Sequence, residues 1–269
     1  MTALLLPGLA LANDATSSPT QLSTPFTDQT TGLAMERFFG ARTSFSFAFA
    51  LPPTPPAAGT AGSFIGQMTF PLSQGQGWGA LGLIGDMEGN FILAAWPDGK
   101  GGVMASFRQA IDEDNPAEVT GAFSVKPIPG ADGTGVSVNQ TSLAYTFLCD
   151  KCLDSTLGLG PEAIAAGSAV MGWALSERPP IGDPSDPGAR LGFHERGFGP
   201  FTARLAQAMT AGFDAVAATV ARTAPVPASR AAVAAVPGAA AGNGGDSGDE
   251  EDSGNEGGGD GDDSDDEDD

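Results

Sequence analysis

The sequence predicts an all-β protein, an antiparallel two-sheet β-sandwich with a C-terminal amphipathic helix. Three observations carry this reading. Short runs alternate in polarity with period two, as in Ser44-Phe45-Ser46-Phe47-Ala48-Phe49, which places three Phe on one face. Glycine- or proline-containing turns separate most of these runs, as short antiparallel strands require. The 16 Phe and 3 Trp are sufficient to fill one core of that size.

Taken in order, residues 1–12 (MTALLLPGLALA) are apolar and end in Ala10-Leu11-Ala12, a cleavage-like pattern. They are expected to be a signal peptide, though one without a basic start, and the protein is expected to be secreted and extracellular. A foldable domain then spans residues 13–222. Its expected strands lie at 44–49, 64–70, 78–84, 91–96, 103–107, 119–125, 143–149 and 169–175. Turns such as Pro97-Asp98-Gly99 and Pro129-Gly130-Ala131-Asp132-Gly133 separate them. In 143–149, Leu143, Tyr145, Phe147 and Cys149 share one face. Phe201, Leu205, Met209, Phe213, Val216 and Val220 recur at three or four residues and predict the helix. Residues 223–245, rich in Ala, Pro and Gly, read as a linker. Residues 246–269 contain nothing that supports a core and read as a disordered acidic tail.

Charge narrows the function classes. The net charge is −21, but the last 24 residues hold 14 of the 33 acids. Without them 19 acids face 12 Lys and Arg, a net charge of −7. No basic patch is present, which argues against nucleic-acid binding. No apolar run approaches the roughly 18 residues of a membrane span.

The motifs are few. Gly77-Trp78-Gly79-Ala80-Leu81-Gly82 matches a dinucleotide fingerprint, but a second strand follows it where a nucleotide fold needs a helix. These glycines are instead expected to permit close packing in a sheet. Cys149-Asp150-Lys151-Cys152 admits a zinc half-site, a redox motif or a structural disulfide. Zinc lacks a second ligand pair and the redox motif lacks its βαβ setting, so the disulfide is favoured. Residues 260–266 alternate acids like a calcium loop but lack its spacing and closing Glu, and read as a solvated polyanion. Asn139-Gln140-Thr141 is a weak N-glycosylation signal. His194 is the single histidine, which excludes multi-histidine metal sites.

Several segments occur in an order that resembles the cytochrome domain of fungal cellobiose dehydrogenase, a DOMON-type haem b domain of immunoglobulin-like sandwich form. It also occurs as a stand-alone, iron-reductase-like cytochrome. The segments are Phe26-Thr27-Asp28-Gln29-Thr30-Thr31-Gly32, Phe64-Ile65-Gly66, Trp78 to Leu83, Met87, Phe91 to Trp96, Arg108, Phe147-Leu148-Cys149-Asp150-Lys151-Cys152, Val170 to Ala174, Asp183 to Pro187, and His194 with Phe198-Gly199. The resemblance runs from about Phe26 to Ala208.

The resemblance implies haem b held by Met87 and His194 as axial ligands, with Cys149–Cys152 as the family's disulfide and Arg108 as a weaker candidate for a haem-propionate contact. The segment from Gln109 to Asn115 departs from the pattern, with three acids and no aromatic residue. The family also implies an electron carrier. Its donor would be a flavin dehydrogenase, and its acceptors copper polysaccharide monooxygenases, ferric complexes or quinones. A monomer is expected. No flavin dehydrogenase domain follows in this chain, so sugar oxidation is not expected of it. The alternative reading is a carbohydrate- or ligand-binding sandwich without redox chemistry.

Overall fold

The computed structural model describes residues 20–111, 115–130 and 135–239. The expected signal peptide and acidic tail lie outside the described residues. In chain order the strands are β1 (Thr24–Thr27), β2 (Ala34–Gly40), β3 (Phe45–Ala50), β4 (Gly62–Pro71), β5 (Trp78–Gly82), β6 (Phe91–Pro97) and β7 (Val103–Gln109). They continue as β8 (Ala117–Thr120), β9 (Ser124–Pro127), β10 (Val136–Val138), β11 (Ser142–Leu153), β12 (Ala169–Ser176), β13 (Gly197–Ala203) and β14 (Val233–Ala234). Two short helices, α1 (Pro161–Ala166) and α2 (Phe213–Ala217), complete the regular structure with 3-10 turns.

The strands form the expected sandwich. One sheet runs β1-β2-β3-β4-β11-β10, with β9 also pairing β11; the other runs β13-β12-β5-β6-β7-β8-β14. All pairs are antiparallel except β14 with β8. The main core lies between the sheets. Phe45, Phe47 and Phe49 enter it from β3, and Leu143, Tyr145, Phe147 and Cys149 from β11, as their alternation predicts. All six residues of β3 are nevertheless buried. Ala48 and Ala50, on its other face, sit in a second cluster beneath Phe213 and Val220. The C-terminal segment therefore covers the outer face of the first sheet. A third cluster, containing Trp78, Ala80, Trp96 and Leu191, lies on the outer face of the second.

Gly79 shows what the glycine-rich motif does. A Cβ there would come within 2.7 Å of the Phe70 ring. The glycine lets the two sheets approach, in a central strand with no phosphate-binding turn.

Cys149 and Cys152 are bonded to each other, with Cα atoms 5.6 Å apart. Lys151, between them, takes a left-handed conformation where β11 shifts register against β4.

Three expectations are corrected. The run 119–125 is two strands in different sheets: β8 pairs β7, and β9 pairs β11. The chain crosses the sandwich between them, so both Val119 and Val125 reach the same core. The predicted helix is also divided. Phe201 lies in β13, Leu205–Ala208 is a 3-10 turn, and α-helix begins only at Phe213. Pairing with the free edge of β12 holds 197–203 extended, despite the helical spacing that follows. Finally, part of the linker lies along the second sheet. Val233 and Ala234 pair with β8, the side-chain amide of Gln109 exchanges hydrogen bonds with Val236 (3.0 and 2.7 Å), and Ser229 binds Glu118.

Candidate functional site

A pocket of about 530 Å³ opens on the outer face of the second sheet, well within the roughly 300–1,000 Å³ of ligand and cofactor sites. Its floor comes from β5, β6 and β12. Ala80 pairs with Ala174, Gly82 with Gly172 and Ile92 with Gly82. Small residues at successive paired positions leave a smooth shelf on which a flat apolar group can lie. Two loops wall it: the turn after β5, carrying Met87, and the segment before β13, carrying His194. These residues are 107 positions apart in sequence and line the same pocket.

The Met87 turn is built around Asn90, whose side chain is 4% exposed. Its amide donates to the carbonyls of Ile84 (3.0 Å) and Asp86 (2.5 Å), and its oxygen accepts from the Ile84 N–H (3.3 Å). A Cβ on Gly82 would overlap that amide, so the shelf glycine also makes room for the residue that shapes the turn. The Asp86 carboxylate accepts from the Met87 N–H at 2.7 Å and fixes the entry into Met87.

The His194 segment is pinned by its neighbour. The Glu195 carboxylate accepts from the Ser176 hydroxyl and the Glu177 N–H, each at 2.9 Å, tying the loop to the end of β12. The half-buried imidazole lies between the rings of Phe193 and Phe198, with centroids at 4.7 and 4.3 Å. Burial pushes the imidazole below its ordinary range, partly opposed by the neighbouring Glu195 carboxylate. Burial thus favours the neutral ring, which offers a nitrogen lone pair.

The chemistry of the lining is restricted. Among the described residues, Asp86 and His194 are its only titratable side chains. Among the described residues, no cluster of three or more His, Cys, Asp or Glu is arranged to hold a metal ion. Five buried side-chain polar atoms lack a hydrogen-bond partner among the described residues, and three of them line this pocket: Trp78 Nε1, Asn115 Oδ1 and His194 Nδ1. Unpaired buried polar atoms are rare in native folds, and their concentration here marks a place for a bound group. A thioether, a neutral imidazole and an apolar shelf suit a porphyrin iron.

The structure brings Met87 and His194 together and places Arg108 elsewhere. Its guanidinium is 2% exposed and donates to Ser106 Oγ and to the carbonyls of Pro116, Pro187 and Ala189. It clamps three backbone carbonyls in two segments and does not line the pocket. Asn139 is exposed in the β10–β11 turn, its carboxamide bound to Thr141 and Ser142. Cys149–Cys152 is in the opposite sheet. Sequence reasoning missed Asn90, Trp78 and the two phenylalanines beside His194. Signals were present, since Trp78 and Phe198 lie in segments that carry the resemblance and Phe193 adjoins the only histidine, but none of them gave these residues a role.

The family model for the cytochrome domain of cellobiose dehydrogenase matches residues 26–215, more than half of the chain. The chain belongs to this cytochrome-domain family. Among solved structures it is similar to the cytochrome domain of Myriococcum thermophilum cellobiose dehydrogenase, at 26% identity and a TM-score of 0.62, over 73% of this chain and 95% of that one. It is also similar to the cytochrome b domain of pyranose dehydrogenase from Coprinopsis cinerea, at 27% identity and a TM-score of 0.58, over 77% of this chain and 100% of that one. No curated protein matches its sequence. As a cytochrome domain it takes a haem cofactor, and the donor set of the pocket fits one. No helix among the described residues is long and apolar enough to cross a membrane.

Proposed function

We propose that this protein is a secreted, monomeric haem b electron carrier, with Met87 and His194 as axial ligands. The observation that supports this most strongly is the convergence of those two side chains, from separate loops, on one apolar pocket. Bound haem supplies reversible one-electron chemistry between ferric and ferrous iron. The chain's part would be to hold the iron through Met87 and His194. Asn90 and Glu195 fix the two loops that would present these side chains to the iron. The thioether of Met87, a poor donor to ferric iron, raises the potential relative to two nitrogen ligands. The apolar shelf and aromatic walls exclude water and act in the same direction.

Partners follow from the relatives. Both belong to sugar dehydrogenases, which supports a flavin dehydrogenase as electron donor. Copper polysaccharide monooxygenases, ferric complexes or quinones are the proposed acceptors.

The test is a visible spectrum of the whole chain with haem. A sharp, low-spin, six-coordinate reduced spectrum is expected, lost in both Met87→Ala and His194→Ala. If no haem copurifies and none binds on titration, the proposal fails.

A further inference from the structure

A second recess, of about 440 Å³, adjoins the first and shares Asn115 and Pro116 with it. The strand register explains how the two are related. Across the outer face of the second sheet, Gly172, Gly82, Ile92, Arg108 and Glu118 stand in one row of paired residues. The first three belong to the apolar shelf, and the last two line the second recess. The surface thus passes from apolar to charged within two strand spacings, roughly 10 Å.

The charges in this recess are not equivalent. Arg108 faces the carboxylates of Glu118 and Asp186 and spends its donors on Ser106 and backbone carbonyls. The Glu118 carboxylate is turned toward the C-terminal segment, where the Ser229 N–H and hydroxyl hold it. Arg190 is different. It is exposed, lines the recess, and its guanidinium makes no ion pair or hydrogen bond among the described residues. Its backbone is nevertheless fixed by two bonds to Ile181, at 2.7 and 3.1 Å, and its neighbours Ala189 and Leu191 are buried beside Trp78 and Trp96. A cation with no partner among the described residues stands on a rigid stem at the charged edge of an apolar shelf.

We propose that this recess receives the carboxylate-bearing edge of the cofactor, and that Arg190 is the anchoring cation. The inference rests on the reading that the apolar shelf holds haem, whose two propionates are its only anionic groups. It assigns that role to Arg190 in place of Arg108, whose guanidinium is already committed to the backbone.

The experiment compares haem with its dimethyl ester, in which both propionates are neutral, on the whole apo-chain. Binding constants and absorbance spectra are recorded for wild type, Arg190→Gln and Arg190→Lys. Wild type is expected to prefer haem by about tenfold, as one partly exposed charge-assisted contact implies. Arg190→Gln should reduce the preference to under about threefold, and Arg190→Lys should restore most of it. Equal binding of both porphyrins by wild type, or an undiminished preference in Arg190→Gln, overturns the assignment. If either result comes with a six-coordinate spectrum, the haem reading stands. If neither porphyrin binds, both readings fail.

Discussion

At the scale of single residues, the site depends on side chains that do not touch the proposed iron. Asn90 satisfies three backbone groups inside the Met87 turn. Asn90→Ala is expected to blunt the six-coordinate spectrum by loosening Met87, and to cost about 1–3 kcal/mol for backbone groups left unpaired. Absorbance of the reconstituted protein and urea unfolding measure the two effects, and an unchanged spectrum would remove Asn90 from this role. Tyr145 gives the opposite case. Its hydroxyl is buried in the main core without a partner among the described residues, and burial pushes its ionisation far above the ordinary phenol range. Tyr145→Phe removes an unsatisfied polar group and nothing else, so unfolding in urea should show equal or greater stability, by up to about 2 kcal/mol. A clear loss of stability would mean the hydroxyl has a partner. The sequence singled out Met87 and His194 through an ordered resemblance. It could not single out Asn90, because a buried carboxamide in a turn is spelled like any exposed one.

At the scale of elements, alternation was a dependable guide wherever one strand face meets the core, as in β3 and β11. It failed where tertiary pairing competes with local pattern. Phe201 and Ala203 fit a strand edge as well as Phe201 and Leu205 fit a helix face, and the open side of β12 decides between them. The segment after Arg222 has a linker's composition yet adds a parallel strand to β8. A chain ending at Arg222 loses the bonds of Gln109 with Val236 and of Glu118 with Ser229. At about 1 kcal/mol each, it should be less stable by roughly 2–4 kcal/mol. Equilibrium unfolding of the two lengths tests this, and equal stability would return the segment to the status of a free linker.

At the scale of the whole molecule, three apolar layers surround two sheets, and the pocket lies on the outer face of the second, away from the main core. The acidic end, residues 246–269, adds 14 negative charges to a body of net charge −7. If it docks a basic redox partner, deleting it should slow electron transfer at low salt and have little effect at high salt, where exposed charges are screened. Stopped-flow rates for both chains at two ionic strengths measure this, and a deletion effect that ignores salt would exclude docking by charge. Taken by itself, the sequence predicted the sandwich, favoured a bond between its two cysteines, excluded multi-histidine metal chemistry and, through a family resemblance, offered the two ligand candidates. These follow from periodicity, composition and ordered motifs, all carried along the chain. Only the tertiary structure decided that Met87 and His194 share one pocket, that Arg108 is committed to the backbone while Arg190 has no partner among the described residues, and that the C-terminal segment returns to the sheet. Each of these depends on which distant strands become neighbours, and strand register is set by the burial of both faces together, which no local pattern encodes.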